Sequence, residues 1–216
     1  MIYARQDFHY QKMAGEKTYH HGDLRQALID AALVMLQTKD AQSLSLRGVA
    51  RQAGVSHTAP YRHFTDKADL LAAVAEEGFV EFGHYLQNAV DAANAEPIES
   101  LRATGVAYIR YALAHPVHFR LMFNNHVLTP ESETVTSSLY TTSKATFQIL
   151  VDIISAGQAA GKFVAGDPEV MATGRWALVH GLAMLVLDGM LPSAEEEAVM
   201  MTQTIITESL AGIVKP

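Results

Sequence analysis

Leu24, Leu28, Ala32 and Leu36 recur at helical spacing, and Ile29 and Leu33 widen the stripe into one apolar face, with Asp23 placed to cap its start. Ser45 opens a short segment, SLRGVARQAG, whose Val49, Ala50 and Ala53 can turn inward. Ser56 opens a second short helix, and Asp66 caps a long one through Leu70, Leu71, Val74, Phe79, Phe82 and Leu86. After Pro97 the same spacing predicts helices over about 98–114, 116–124, 132–160, 168–188 and 194–213, with breaks at HP, TP, GK, GDP and LPS. No alternating strand run, internal repeat or low-complexity tract interrupts the series. The pattern predicts an all-α protein. Its expected layout is an N-terminal three-helix bundle containing a helix-turn-helix (residues 19–66) and a larger helical domain (67–216), with helix 67–92 connecting the two. Residues 1–18 lack apolar periodicity and are expected to form a disordered arm, with Met13 an alternative start of translation.

Composition narrows the class. The 216 residues contain no cysteine, which removes disulfides, thiolate metal sites and cysteine nucleophiles together. No secretory h-region opens the chain, and the most apolar run, WALVHGLAMLVL, is short for a bilayer span and carries a histidine. A soluble, cytoplasmic protein without a membrane partner is expected. The net charge of −7 is unevenly spread. Residues 1–67 hold nine Lys and Arg against six Asp and Glu, a balance of +3, whereas residues 68–216 hold seven against seventeen, a balance of −10. A basic head on an acidic body suits a chain that meets a polyanion with the head alone.

The two short segments joined by Ala53-Gly54-Val55 have helix-turn-helix dimensions. Gly54 can take the positive φ that ends the first helix, and Val55 can plug the core between the two. Pro60 falls at the fourth helical position after Ser56, where it deletes only the bond back to the cap carbonyl, so a helix with a strained first turn is expected. His57, Thr58, Tyr61 and Arg62 then share one side, available to a groove.

SLRGVARQAGVSHTAPYRHFTDKADLLAAV resembles the signature of the tetracycline-repressor (TetR) family of bacterial transcriptional regulators. The matching residues are Ser45, Val49, Ala50, Ala53, Gly54, Val55, Ser56, Tyr61, His63, Phe64, Lys67 and Leu70-Leu71. LRQALIDAALVMLQ is similar to that family's first helix. WALVHGLAMLVLDG, with Trp176, His180 and Gly181, resembles its Trp-His-Gly type of ligand-binding domain. Pro60 departs from the family, which more often has a bulky apolar residue there. The resemblance implies operator DNA as partner and Tyr61, His63 and Lys67 as phosphate contacts. Residue chemistry assigns His57 and Thr58 to base edges and Ser45 to the cap of a helix whose amides favour a phosphate. With Arg47, Ser56 and Arg62 these complete the expected DNA-facing set.

The body is longer than dimerisation alone needs. Tyr108, Tyr111, Phe119, Met122, Phe123, Phe147, Trp176, His180 and Met184 supply aromatic or polarizable groups suited to a mostly apolar effector pocket between the helices at 98–124, 140–158 and 170–188. Trp176 and His180, at i and i+4, either line that pocket or pack as a core tryptophan beside a hydrogen-bonded histidine. HPVHFRLMFNNH, residues 115–126, offers three histidines without carboxylate or thiolate support in its spacing, so neither a metal nor a cofactor is expected. The small residues Ala172, Gly174, Ala177, Gly181 and Ala183 are expected to let the last two helices pack against a second copy. The leading expectation is a homodimeric, effector-released repressor. The rivals are an all-helical enzyme, for which no phosphate-cradling glycine loop, HExxH or nucleophile elbow is present, and a binding protein without DNA function.

Overall fold

The computed structural model describes residues 23–123 and 137–215, and the expected N-terminal arm lies outside them, as does the side chain of Asp23. Helix α1 runs Asp23–Leu36 and α2 runs Leu46–Gln52; a 3-10 turn covers Pro60–Arg62. The long helix α3 (Lys67–Ala92) follows, then α4 (Pro97–Ala114), α5 (Pro116–Met122), α6 (Ser137–Ala159), α7 (Pro168–Leu187) and α8 (Glu195–Leu210). The described residues contain no strand, only one isolated antiparallel bridge between Phe163 and Val214. The fold is all-α, as the periodicity requires.

Local chemistry accounts for the helix ends. Ser45 accepts from the Gly48 amide at 3.2 Å and starts α2; Gly54, at φ +71°, ends the turn after it. Asp66 accepts from the Asp69 amide at 2.9 Å while Asp69 reaches back to the Thr65 amide at 2.9 Å, a reciprocal arrangement that fixes where α3 begins. Glu96 and Asp167 cap α4 and α7, each followed by a proline whose missing N–H costs nothing in a first turn.

One element departs from the pattern. The second short helix is not α-helical: Ser56 carbonyl accepts from the Ala59 amide at 3.0 Å, Ala59 carbonyl from Arg62 at 3.2 Å, and Pro60 carbonyl from both His63 and Phe64 at 2.9 Å. Pro60 cannot bond back to Ser56 and its ring crowds that carbonyl, so the chain tightens into i→i+3 geometry. Ser56 correspondingly spends its hydroxyl on that of Thr58, at 3.2 Å, rather than on a backbone amide.

A single apolar core links head to body. Leu28, Ile29, Val49, Phe64 and Leu70 close the head, with Val55 packed against them; the same side of α3 continues through Val74, Phe79, Phe82 and Leu86 into the body. There α3 packs against α4, α5 and α6, α4 against α7 and α8, and α6 against α7. At about 1.5 Å per residue, α3 is roughly 39 Å long, and it is the rigid connection between the two ends. Gly105 makes room for α8 against α4: a Cβ there would lie 2.1 Å from Ile206 Cδ1.

Candidate DNA-binding head and interior cavity

In the head, His57, Thr58, Tyr61, Arg62, Ser45, Ser56 and Arg47 are exposed, and His63 and Lys67 are half-buried. Tyr61 is 54 % exposed, a large ring left in solvent next to Arg62 in the chain. Pro60 and Phe64 turn inward and anchor the segment to the core, so the tight turn still presents one outward face. Lys67 is not idle: its Nζ donates to the Gln42 carbonyl at 2.9 Å and ties the α1–α2 loop to the start of α3. An ammonium has three donors, so two remain for an anion. In that loop the Ser43 amide and hydroxyl hold Asp40 below the usual carboxylate range.

The arginines divide by location. In the body Arg102 pairs with Glu99 at 2.7 Å, Arg120 with Asp188 at 2.6 Å and Arg110 with Glu195 at 3.5 Å. Among the described residues Arg47, Arg51 and Arg62 of the head form no ion pair and are exposed. Unneutralised cations gathered in the head of an acidic molecule create a local positive field suited to a polyanion. Arg51 joins this exposed set without standing in the sequence-expected one; its place in the last turn of α2 is the signal that marks it.

In the body a cavity of about 310 Å³ opens between α3, α4, α6, α7 and α8. That volume lies at the small end of the range for ligand sites. Of the expected lining residues, Tyr108, Phe123, Phe147 and Trp176 face it. Tyr111, Phe119 and Met122 are fully buried and belong to the core: Tyr111 donates to the Gly78 carbonyl of α3 at 2.9 Å and Met122 packs over Gly78, while Phe119 sits between Tyr108 and His180. His180 and Met184 pack behind the wall. The missing wall is the connecting helix: Phe79, Phe82 and Leu86 of α3 line the cavity, opposite Val179 and Ile206. Their i, i+3, i+7 spacing was legible, but nothing local distinguishes a core stripe from a cavity stripe. Lys144 and Arg175 are the charged lining groups, and Arg175 donates to the Ser209 carbonyl at 2.7 Å.

Trp176 and His180 satisfy both of their alternatives, one each. Trp176 Nε1 donates to the Tyr108 hydroxyl at 3.2 Å, and that hydroxyl lies 2.8 Å from His180 Nδ1. The indole donates only, so the phenol O–H is free to donate onward to Nδ1. Burial holds His180 below the ordinary histidine range and pushes the Tyr108 phenol well up, so both are neutral near pH 7. The relay joins cavity wall to core through three side chains on α4 and α7.

Residues 28–74 match the family of bacterial regulatory proteins, tetR family, and residues 101–207 match the tetracyclin repressor-like C-terminal domain. A structure of a protein of unknown function from Rhodococcus sp. RHA1 is 36 % identical, covers 91 % of this chain and 100 % of that one, and superposes with a TM-score of 0.76. A bacterial regulatory protein of the tetR family from Rhodococcus RHA1 shares the fold, at 21 % identity and a TM-score of 0.69 over 88 % of this chain and 96 % of its own. An uncharacterised HTH-type transcriptional regulator of Haemophilus influenzae is 44 % identical over 70 residues; the matched segment spans 32 % of this chain and about a third (34 %) of that relative's length. A set of exposed head cations that form no ion pair among the described residues, joined by one long helix to a hollow body, therefore has its place: the chain belongs to the tetR family of DNA-binding transcriptional regulators.

Proposed function

We propose that this regulator is a cytoplasmic homodimeric repressor, released from its operator by a small, mostly apolar effector bound in the body. The observation that carries the reading is that α3 serves both ends. It leaves the head at Lys67, and twelve to nineteen residues later its Phe79, Phe82 and Leu86 form one wall of the cavity. A molecule filling that cavity touches the helix that orients the head. Coupling requires differential affinity for two positions of α3, since a ligand bound equally in both leaves DNA binding unchanged.

The second copy has a face to meet. On α7, Val170, Gly174, Ala177, Gly181 and Leu185 are exposed along one side, and a Cβ at Gly174 or Gly181 would touch nothing within 4 Å. Ala172 and Ala183, counted with this set from sequence, are buried in their own chain and do not contribute. At 20 residues α7 is also long and apolar enough for a bilayer. Its side exposes small residues between two large ones, which favours close helix packing over lipid, and it carries Glu169 and Arg175. In the dimer each subunit offers His57 and Thr58 to the major groove, with half-sites about one DNA turn apart.

The test is a salt-dependent shift of DNA from around the chain's own gene, followed by titration of a screened ligand against Trp176 emission with and without that DNA. Reciprocity demands that operator DNA weaken the ligand by the factor with which the ligand weakens DNA. Unchanged ligand affinity refutes the release mechanism, and absence of any DNA shift refutes operator binding.

A further inference from the structure

His115 and His118 have no acidic neighbour in the sequence, but folding supplies one. Glu81 of α3 faces the first turn of α5, with Oε1 3.6 Å from His115 Nε2 and Oε2 3.9 Å from His118 Nδ1. One donor atom from each of the three side chains lies within 4.8 Å of the other two. The two imidazoles are held from behind. The His115 ring stacks on Tyr111 with centroids 4.8 Å apart, and only 11 % of the His118 side chain is exposed. Gly78 lets the helices approach this closely, since a Cβ there would lie 2.7 Å from Met122 Sδ and 3.6 Å from His118 Cβ. His118 Nε2 is buried without a hydrogen-bond partner among the described residues, so no bond of its own fixes the ring's role. The Tyr85 hydroxyl stands 3.4 Å from His115 Nε2, beside the same point.

We propose that Glu81, His115 and His118 form a binding site for one divalent cation of the Zn²⁺ class, which clamps α3 to α5. Two imidazoles and one carboxylate are a borderline donor set that selects such ions over Mg²⁺ or Ca²⁺, which prefer all-oxygen shells. Tetrahedral bonds of about 2.0–2.2 Å put donors roughly 3.3–3.6 Å apart. The separations of 3.6 and 3.9 Å, one from each Glu81 oxygen, approach that spacing, and the 42 % exposed Glu81 side chain is free to close the remainder of a set that spans up to 4.8 Å. Three protein ligands leave the fourth position to water, near the Tyr85 hydroxyl. Because α3 carries the head, an ion here would bias the same helix as the cavity does, from its other side. The site stands independently of the effector reading.

A plain proton-mediated pairing of Glu81 with its two histidines is the competing account, and metal binding separates the two. Full-length protein stripped with a chelator is titrated with Zn²⁺ by calorimetry and with Co²⁺ by visible absorption. The same titrations are run on Glu81→Gln, His118→Asn and a His20→Gln/His21→Gln control that removes the adjacent histidine pair. The expected result is one equivalent of Zn²⁺ per chain, four-coordinate Co²⁺ bands displaced by Zn²⁺, and an unaltered titration of the control. Glu81→Gln and His118→Asn should lose about ten- to a hundred-fold in affinity, and Zn²⁺ should raise the melting temperature of wild type but not of Glu81→Gln. Glu81 is half-exposed, so that variant folds and its result decides even where His118→Asn does not. No stoichiometric binding by wild type, unchanged affinity in Glu81→Gln, or loss confined to the His20/His21 control would overturn the proposal.

Discussion

Tyr108→Phe removes one oxygen atom from the centre of the body and tests whether the Trp176–Tyr108–His180 relay is an energetic unit. The ring itself stays: it is 4 % exposed and packs edge-on to Phe82 and Phe119, with centroids 5.0 and 5.5 Å away, contacts that phenylalanine retains. What is lost is a hydrogen bond at 2.8 Å to His180 Nδ1 and one at 3.2 Å from Trp176 Nε1. Trp176 is 36 % exposed and borders the cavity, so its N–H can turn to water at little cost. His180 is half-buried, so loss of the bond to its Nδ1 costs about 0.5–1.5 kcal/mol. For a chain of this size that lowers the melting temperature by about 2–4 °C per kcal/mol. The double variant Tyr108→Phe/His180→Leu removes both partners, so its loss should fall short of the sum of the singles by about 0.5 kcal/mol or more. Urea denaturation of the four proteins at one fixed concentration measures the cycle, and emission of Trp176, the sole tryptophan, should shift in Tyr108→Phe before any unfolding. Strictly additive losses, or Trp176 emission identical to wild type, would refute a relay and leave only two unrelated contacts.

Lys67→Ala should weaken all DNA sequences alike and reduce the salt slope by about 0.9, one phosphate's worth, whereas His57→Ala and Thr58→Ala should each relax base preference at about 1–3 kcal/mol; anisotropy titrations on operator and scrambled DNA at several salt concentrations distinguish them. Burial lowers the folded-state affinity of His180 for a proton, so the unfolded chain binds more protons between that value and about pH 6.5. Stability is therefore fully present above about pH 6.5 and declines as pH falls below it; the decline in urea midpoint should be shallower in His180→Leu. Gly157→Ala would place a Cβ 2.0, 2.2 and 2.8 Å from three atoms of the fully buried Phe163 ring. Overpacking of about 1–3 kcal/mol exceeds the helix-propensity gain of about 1 kcal/mol, so thermal melting should show a net loss.

Determinants that act within a few residues were open to reading in the sequence. Ser45 and Asp66 set helix ends through bonds to neighbouring amides, Gly54 through its positive φ and the proline that opens each of α4, α5 and α7 through its fixed φ and missing donor, and those ends fall where the pattern put them. The apolar stripe of α3 and the basic balance of the head needed only counting. Pro60 marks the limit of that reading. Its missing donor was visible, but an α-helical or a tighter turn depended on whether its ring and Phe64 would be drawn into the core. Tertiary structure decided everything that depends on how helices cross. Phe119 and Phe123 are one turn apart on the same segment, yet one is sealed in the core and the other borders the cavity. Glu81 and His118 lie 37 residues apart and meet only because Gly78 lets α3 and α5 approach. Periodicity gives the direction of a side chain from its own axis; what it meets there is fixed by the partner helix, whose crossing angle and distance come from side chains remote in the sequence.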